Sequence, residues 1–453
     1  MEFQGKKVLV VGSGISGMAA CGLLKEEYAK VTLLEGNKDA KEEDIRQKSE
    51  AFSDIRIIVG ELPEEEIASL DMAVLSPGVP TDLPVIGAMR DAGVTILGEI
   101  ELAYQLSKGK IIAITGTNGK TTTTALVGEI MRSFYSDVKV VGNIGIPYTG
   151  VARETGEDTV VVAEISSFQL ETTLEFQPQV SAILNITPDH LNRHHTMECY
   201  IRVKESITKN QTKEQTCVLN YEDEKLREFG FQLPIKVVFF SSRQKLETGC
   251  YLDGEDIFYA ADGHCEKVVN VNELNLLGKH NYENVMAATA MAVSFGVSLE
   301  KIREVLVRFQ SVEHRIEYVT EKRGIRFYND SKGTNPDAAI QGIRAMNRKT
   351  CLIGGGYDKQ SEYDEWIEAF DGKVKKLVLI GATKEKIAEC AEKHGFHDFV
   401  FADSLEEAVN ICYDCAKSGE AVLLSPACAS WDMFQSYEER GRIFKEIVCE
   451  LKE

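Results

Sequence analysis

Two stretches of this chain run from an apolar strand through a glycine-rich turn into a helical pattern, and this feature restricts the fold most strongly. VLVVGSGISG occupies residues 8–17, and AITGTNGKTTTT occupies residues 113–124. Apolar strands that alternate with helical patterns pack as a parallel sheet with helices on both faces. The sequence therefore predicts an α/β fold.

The length and the recurrence of this pattern predict three domains. A chain of 453 residues exceeds the size of one ordinary hydrophobic core. Strand and helix patterns alternate at the start, restart with KIIAITG at Lys110, and restart again with GIRFYND. A more irregular region, 235–275, predicts antiparallel strands. We place the boundaries so that the domains are 1–98, 99–311 and 312–453.

Composition excludes several classes of partner. The net charge of −20 argues against general binding of nucleic acid or anionic membranes. The chain has no apolar run of membrane-spanning length and no signal-peptide pattern, which predicts a cytoplasmic protein. Eleven cysteines without framework spacing suit a reducing compartment. Cys412 and Cys415 lie in an amphipathic helical pattern and are predicted to be packing residues.

The second glycine turn, TGTNGKT, predicts an ATP site. Backbone N–H groups of such a turn and the following helix N-terminus favour phosphate, while Lys120 can neutralise phosphate charge and Thr121 can bind Mg²⁺. The stretch departs from the standard pattern, because Ile114 replaces its first glycine.

Candidate metal ligands follow on the next two strands, where open α/β sheets bind ligands. Glu164 closes the apolar run VVVAE and is either a Mg²⁺ ligand or a solvated strand end. Asp189 and His190 follow the next strand in PDHLNRHH. That segment, with His194 and His195, is either a zinc cluster or a polar loop with a helix-capping aspartate.

The motifs together resemble the Mur ligases, the cytoplasmic ATP-dependent amide-forming enzymes of peptidoglycan precursor synthesis. TGTNGKTT, AEISSFQLE, NITPDHLNRH, LLGKHNYENVMAA, VEHRIE, NDSKGTNPDA and LLSPACASWDMF occur in the expected order and span nearly the whole chain. The resemblance implies a Rossmann-like UDP-binding N-terminal domain, a central P-loop ATPase-like domain and a Rossmann-like C-terminal domain.

Within the family, LSPGVP and SPACASWDMFQSYEERG are similar to the members that add D-glutamate to UDP-N-acetylmuramoyl-L-alanine through an acyl phosphate. The DNPR segment of the diaminopimelate- or lysine-adding members is absent. A sister ligase that adds another amino acid is one alternative. A second is an NAD-dependent oxidoreductase, because Gly12-x-Gly14-x-x-Gly17 with Glu35 is typical of a dinucleotide site. The resemblance further implies a monomer without nucleic-acid or membrane partners.

The resemblance also implies roles for individual residues around ATP and two Mg²⁺ ions. The ATP-binding residues would be Gly116, Thr117, Asn118, Gly119, Lys120, Thr121, Thr122, Asn281, Arg315 and Asp330. The metal ligands would be Thr121, Glu164, His190 and a carbamylated Lys204, although Lys204 by itself reads as a surface helix lysine. The catalytic residues would be Lys120, Lys204, His190, Lys332 and Arg315.

The same matches imply two substrate sites. The UDP-substrate residues would be Gly14, Ile15, Ser16, Glu35, Asn37, Ser76, Asn143, Ser166 and Gln169. The D-glutamate residues would be Thr334, Lys359, Ser430, Trp431 and Tyr437. From the residues alone, Asn281 also fits a helix cap, and NDSKGTN also fits a solvated turn, although less well than a ligand site.

Overall fold

The computed structural model describes residues 2–143, 145–310 and 313–452. The chain forms two compact units. The first comprises the residues up to Val268 together with Asn284–Val305, and the second comprises Val269–Glu283 together with the residues from Leu306 onward.

The first sheet is wholly parallel and has five strands in the order β3-β2-β1-β4-β5. Its strands are β1 (Lys7–Val11), β2 (Lys30–Glu35), β3 (Arg56–Val59), β4 (Met72–Leu75) and β5 (Thr95–Gly98). Its helices are α1 (Ile15–Glu26), α2 (Glu42–Gln47), α3 (Glu64–Ile67), α4 (Pro84–Asp91) and α5 (Glu99–Leu106). The predicted alternation of strand and helix is confirmed here.

The second sheet has nine strands in the order β14-β13-β12-β11-β10-β9-β6-β8-β7. They are β6 (Lys110–Thr115), β7 (Val138–Gly142), β8 (Val160–Glu164), β9 (Val180–Ile183), β10 (Thr216–Asn220), β11 (Lys236–Ser241), β12 (Gly249–Asp253), β13 (Asp256–Ala261) and β14 (His264–Asn270). The helices are α6 (Lys120–Arg132), α7 (Ser167–Leu170), α8 (Leu191–His194), α9 (Met197–Glu205), α10 (Glu224–Gln232), α11 (Lys279–Phe295) and α12 (Leu299–Arg308).

The antiparallel prediction for residues 235–275 is wrong for β11, which pairs in parallel with both β10 and β12. Helix α10 connects β10 to β11, and a helical crossover returns the chain in the same direction. Antiparallel pairing is confirmed for β12 and β13, which a two-residue turn joins.

The third sheet has six strands in the order β15-β16-β20-β17-β18-β19, with an antiparallel edge strand on an otherwise parallel sheet. The strands are β15 (Glu317–Lys322), β16 (Ile325–Asn329), β17 (Thr350–Gly354), β18 (Val374–Leu379), β19 (Phe399–Phe401) and β20 (Ala421–Leu424). The helices are α13 (Pro336–Ala345), α14 (Asp364–Glu368), α15 (Lys384–Lys393), α16 (Leu405–Cys415) and α17 (Tyr437–Glu450).

Central strands carry the cores because both of their faces are covered by helices. In β6, every residue from Ile111 to Thr115 is buried. The packing prediction for α16 is confirmed, since Cys412 lies in the core and Cys415 packs against it. Among the described residues, each helix is too short or too polar to cross a bilayer.

Candidate active site

The turn after β6 is the stretch predicted to bind phosphate, and its conformation requires glycine at position 119. Gly119 has a φ of +86°, and a Cβ there would lie 2.3 Å from Asn284 Oδ1, so only glycine fits. The Asn118 N–H donates to Asn185 Oδ1 at 2.8 Å, and the Thr117 hydroxyl lies 3.1 Å from Tyr200 OH. These contacts fix the loop ahead of α6, which begins at Lys120.

Two lysines converge on this loop. Lys120 Nζ donates to the carbonyls of Gly116 and Thr117 at 2.9 and 2.8 Å. Lys204 Nζ donates to the same Gly116 carbonyl at 2.9 Å and lies over the Tyr200 ring. Lys204 is only 1% exposed, so the surface reading of this residue is wrong. Burial, reinforced by the Lys120 charge, lowers the pKa of Lys204 to about 7.

Glu164 lies beside the loop strand, at the carboxyl end of β8. It pairs in register with Ile114 of β6, is 1% exposed, and accepts a 2.8 Å hydrogen bond from Asn143 Nδ2. It is therefore not a solvated strand end. Thr121 is half-buried and Thr122 is buried on the first turn of α6. Asn143, predicted to bind the UDP substrate, holds this carboxylate.

The histidines after β9 have different environments. His190 is half-exposed with a φ of +52°; its Nε2 lies 3.4 Å from Asp189 Oδ2 and its ring contacts Phe168. His194 is buried in α8, with Nε2 2.9 Å from Ser167 Oγ. His195 is exposed. Among the described residues, these side chains do not form a three-ligand group, which argues against the zinc cluster.

An ion pair that the sequence analysis missed connects this region to the first sheet. Arg193 Nη2 lies 2.6 Å from Glu171 Oε2, and both side chains are 11% exposed. The same nitrogen donates to the Val79 carbonyl at 2.9 Å, and the guanidinium lies over the Phe168 ring. Thr81 also donates to Glu171, at 3.3 Å. The pair therefore links the LSPGVP turn to the segment that carries His190.

The first glycine turn joins β1 to α1. A Cβ at Gly17 would lie 1.9 Å from the Gly12 carbonyl oxygen, and Gly12 has a φ of +99°. Gly14 and Ile15 are exposed, and Ser16 is half-buried. Ser76 Oγ donates to the Gly12 carbonyl at 3.3 Å. The turn is thus closely packed beneath an accessible N-terminus of α1.

Glu35 supports this turn from the end of β2. Partial burial opposes its ionisation, but hydrogen bonds from Ser13 and Asn37 and the charge of Lys48 lower the pKa of Glu35 overall. Its Oε2 accepts from Ser13 Oγ at 2.5 Å, and Lys48 Nζ donates to that hydroxyl at 3.1 Å. Asn37 is exposed. Lys48 is a further cation at this turn that the sequence analysis missed.

Ser166 and Gln169, predicted to bind the UDP substrate, form a capping box at the start of α7. The Gln169 N–H donates to Ser166 Oγ at 3.3 Å, and the Ser166 N–H donates to Gln169 Oε1 at 2.9 Å. The S-x-x-Q spacing carries this signal in the sequence. Gln169 is buried, whereas Ser166 is half-exposed.

Asp330, the carboxylic acid among the predicted residues of the second unit, is buried and has a raised pKa. Burial raises its pKa to about 7, although Ser425 Oγ donates to Oδ2 at 2.7 Å. Arg315 is exposed and lowers this pKa through its charge. Lys332 Nζ lies over the Tyr437 ring at 5.6 Å. Asn281 Nδ2 donates to the Leu277 carbonyl at 2.7 Å, which is a local contact near the start of α11.

The predicted D-glutamate residues of the second unit include one unsatisfied polar atom. Ser430 is buried, and its Oγ has no hydrogen-bond partner within the described part of the chain. Lys359 Nζ lies 5.0 Å from the ring centroid of the exposed Trp431. Thr334 is half-buried, and Tyr437 begins α17.

Arg440 organises two of these loops and was missed in the sequence analysis. Its side chain is 1% exposed and donates to Ser331 Oγ and to the carbonyls of Ser331, Cys428 and Ala429. Burial lowers the pKa of Arg440 to about 10. Its guanidinium thus joins the segment after β16 to the segment after β20.

Models of known protein families match most of this chain, and all three matches belong to one family. The models for the Mur ligase MurD-like N-terminal domain, the Mur ligase middle domain and the Mur ligase glutamate ligase domain match residues 6–98, 114–292 and 314–428. The chain belongs to the Mur ligase family and is a ligase, so the predicted three-domain α/β class is confirmed. The oxidoreductase alternative is discarded, because the first glycine turn lies in the matched N-terminal domain.

Relatives narrow the assignment within the family. The chain is 57% identical to the UDP-N-acetylmuramoylalanine–D-glutamate ligase of Lachnoclostridium phytofermentans and 54% identical to that of Lachnospira eligens, each over 100% of both chains. The enzyme of that name from Clostridioides difficile is 47% identical, again over both full chains. Among solved structures, UDP-N-acetylmuramate-alanine ligase MurC from Thermotoga maritima is similar in fold, with a TM-score of 0.58 and 20% identity over 99% of this chain and 100% of that one.

Proposed function

We propose that this ligase joins D-glutamate to UDP-N-acetylmuramoyl-L-alanine, with conversion of ATP to ADP and phosphate. The observation that carries the proposal is full-length identity of 57% to a relative named for that reaction. The loop at Lys120, with a second lysine and a carboxylate buried beside it, supports the ATP half of the reaction.

The chemistry requires an activated carboxylate. An oxygen of the L-alanine carboxylate attacks the γ-phosphorus, the bond to ADP breaks, and an acyl phosphate forms. The neutral amine of D-glutamate then attacks the acyl carbon, phosphate leaves, and the amine proton passes to solvent. Two anions approach each other in the first step, so catalysis consists mainly of charge neutralisation and positioning. Lys120, Lys332 and Arg315 supply positive charge for this purpose.

The residues around the loop suit two Mg²⁺ ions. Mg²⁺ prefers oxygen ligands, and the buried Glu164 carboxylate and the Thr121 hydroxyl on the first turn of α6 meet that preference. Bound Mg²⁺ would neutralise phosphate charge. His190 would serve the second ion.

Lys204 fits a metal site only after modification, because an ammonium repels cations. Its lowered pKa of about 7 provides a neutral amine near physiological pH. A neutral amine attacks CO₂ to form a carbamate and releases one proton. We propose that this carbamate is the form of Lys204 that supports Mg²⁺.

The substrates would bind at the two remaining groups of residues. The turn at Gly14, Ile15 and Ser16, with Glu35, Asn37 and Ser76, would hold the UDP moiety, and Asn143, Ser166 and Gln169 would border it. Asn281 and Asp330 would contact the adenosine of ATP. The Ser430 hydroxyl, with Thr334, Lys359, Trp431 and Tyr437, would receive the carboxylates of D-glutamate. We further propose domain boundaries at 98/99 and 311/312, the second of which lies outside the described residues, and a cytoplasmic monomer without nucleic-acid or membrane partners.

Phosphate release tests the proposal and separates it from a sister ligase. The purified chain is incubated with ATP, Mg²⁺ and UDP-N-acetylmuramoyl-L-alanine, and then with D-glutamate, L-alanine, L-lysine or diaminopimelate. We expect sustained phosphate release with D-glutamate alone. Turnover with any of the other amino acids in its place would refute the assignment.

Lys120→Ala gives the matched variant for this assay. We expect it to abolish ADP formation, because Lys120 lies on the phosphate loop. Binding of the UDP substrate, measured by calorimetry, should persist because the residues proposed for it lie mainly around the first sheet. Loss of both properties would contradict separate ATP and UDP sites.

A further inference from the structure

Three side chains in the second unit bring sulfur, nitrogen and oxygen donors together outside the ligase site. Asp364 is the first residue of α14, Cys390 lies on α15, and His394 follows its last residue. Their donor atoms lie within 4.8 Å of one another, and all three residues are half-buried. A thiol, an imidazole and a carboxylate form a donor set suited to zinc, whereas Mg²⁺ requires mainly oxygen.

The imidazole of His394 lies between two carboxylates, one facing each ring nitrogen. Its Nε2 lies 2.9 Å from Asp364 Oδ1, and its Nδ1 lies 3.6 Å from Glu368 Oε1. A metal-binding histidine typically directs its other ring nitrogen towards a carboxylate, which fixes the ring. Cys390 and His394 are four residues apart, and the His394 N–H bonds to the Cys390 carbonyl, so both side chains lie on one face.

A cation that binds here must displace the proton of the Cys390 thiol and the ammonium group of Lys393. Burial raises the pKa of Cys390 to about 11, with Asp364 adding to the effect, so the thiol must lose its proton on metal binding. Lys393 Nζ lies 2.7 Å from Asp364 Oδ1, but its side chain is 71% exposed and can move into solvent. Glu362 adds further negative charge near Cys390.

We propose that Asp364, Cys390 and His394 bind one Zn²⁺ ion, with water in the fourth position and Glu368 orienting His394. The ion would connect α14 to α15. This site uses none of the residues assigned to ATP, Mg²⁺, the UDP substrate or D-glutamate, so it stands independently of the proposed reaction.

Titration of the full chain with Co²⁺, in excess Mg²⁺, tests the site directly. We expect one equivalent to give a thiolate-to-cobalt charge-transfer band and the strong visible bands of tetrahedral cobalt, and Zn²⁺ to displace it. Cys390→Ser and Asp364→Asn should lose the charge-transfer band or weaken binding at least tenfold. Cys449→Ser, which alters an exposed cysteine of α17, should retain both signals.

Lys393→Met distinguishes metal binding at Asp364, Cys390 and His394 from incidental metal binding elsewhere on the protein. Removal of the competing ammonium should tighten Co²⁺ binding several-fold, and circular dichroism of each metal-free variant checks that it folds. The proposal is overturned if the wild-type chain gives no thiolate band, if Cys390→Ser retains it, or if Lys393→Met leaves the affinity unchanged. Asp364→Asn, which keeps the side-chain shape, decides the question if Cys390→Ser does not fold.

Discussion

Replacement of Arg193 by methionine should destabilise the first unit and impair use of the UDP substrate. Methionine keeps much of the apolar stem but removes the guanidinium that binds Glu171 and the Val79 carbonyl. Glu171 then keeps Thr81 at 3.3 Å and His194 at 3.4 Å. Burial lowers the pKa of His194, so that ring is a poor substitute for a permanent positive charge.

The expected cost follows from the burial of the pair. Removal of one partner of a buried ion pair costs about 3–5 kcal/mol, because the other charge is left without compensation. Each side chain is 11% exposed, which allows some hydration, so we expect the lower end, about 3 kcal/mol. Arg132→Met is the matched control. Its partner Glu129 lies at the same distance of 2.6 Å, but both side chains are about half-exposed, so we expect less than about 1 kcal/mol.

Urea unfolding followed by far-ultraviolet circular dichroism measures both variants. Trp366 and Trp431, the two tryptophans, belong to the second unit, so their fluorescence provides an internal reference for that unit. In kinetics, loss of the link between Val79 and the His190 segment should lower kcat/KM for the UDP substrate about tenfold, equivalent to about 1.4 kcal/mol. The reasoning is refuted if Arg193→Met costs no more than Arg132→Met, or leaves kcat/KM unchanged.

Two further predictions concern Gly119 and Asp330. Gly119→Ala should abolish ADP formation, because the added Cβ would lie 2.3 Å from Asn284 Oδ1. The control Gly254→Ala is also at positive φ, but its Cβ would lie in open space, so this variant should remain active. Equal activity of the two variants would contradict this reasoning. Asp330 has a folded pKa raised to about 7, so its folded state holds a proton that the unfolded state loses from about pH 4. The free energy of unfolding, taken relative to that of Asp330→Asn, is therefore highest below pH 4. It should fall by about 4 kcal/mol between pH 4 and pH 7 and then stay constant. Tryptophan fluorescence in urea measures it, and a pH-independent difference would contradict the raised pKa.

The fold could be predicted from the sequence wherever the residues of an element themselves specify a strand, a turn or a helix. The strand at Lys110–Thr115 is apolar throughout, the glycine turn follows directly, and the helical pattern begins at Lys120. The orientation of β11 could not be predicted in the same way. Its own residues specify a strand, but its direction depends on α10 and on pairing with β10, which are properties of the assembled sheet.

The site could be predicted only in part, because several of its contacts join residues far apart in sequence. Arg193 meets the Val79 carbonyl across 114 positions, and Arg440 meets Ser331 across 109. In the sequence both arginines lie among other charged or polar residues, so no local pattern marks them as buried. Lys204 is the sharpest case, since YIRVKES is typical of an exposed helix face, whereas its ammonium is buried against the phosphate loop.

The burial of Lys204 gives a physical reason, independent of any resemblance, for the modification that we propose. Lys120 and Lys204 both donate to the Gly116 carbonyl at 2.9 Å, so two ammonium groups lie close together, and burial removes the water that would otherwise solvate the Lys204 charge. The buried Lys204 therefore loses its proton more easily, which lowers its pKa to about 7. Its neutral amine is the form that reacts with CO₂, and the resulting carbamate is an anion beside Lys120. The modification that we propose would thus convert a repulsion between two cations into an attraction, and it would leave Lys120 available to meet phosphate.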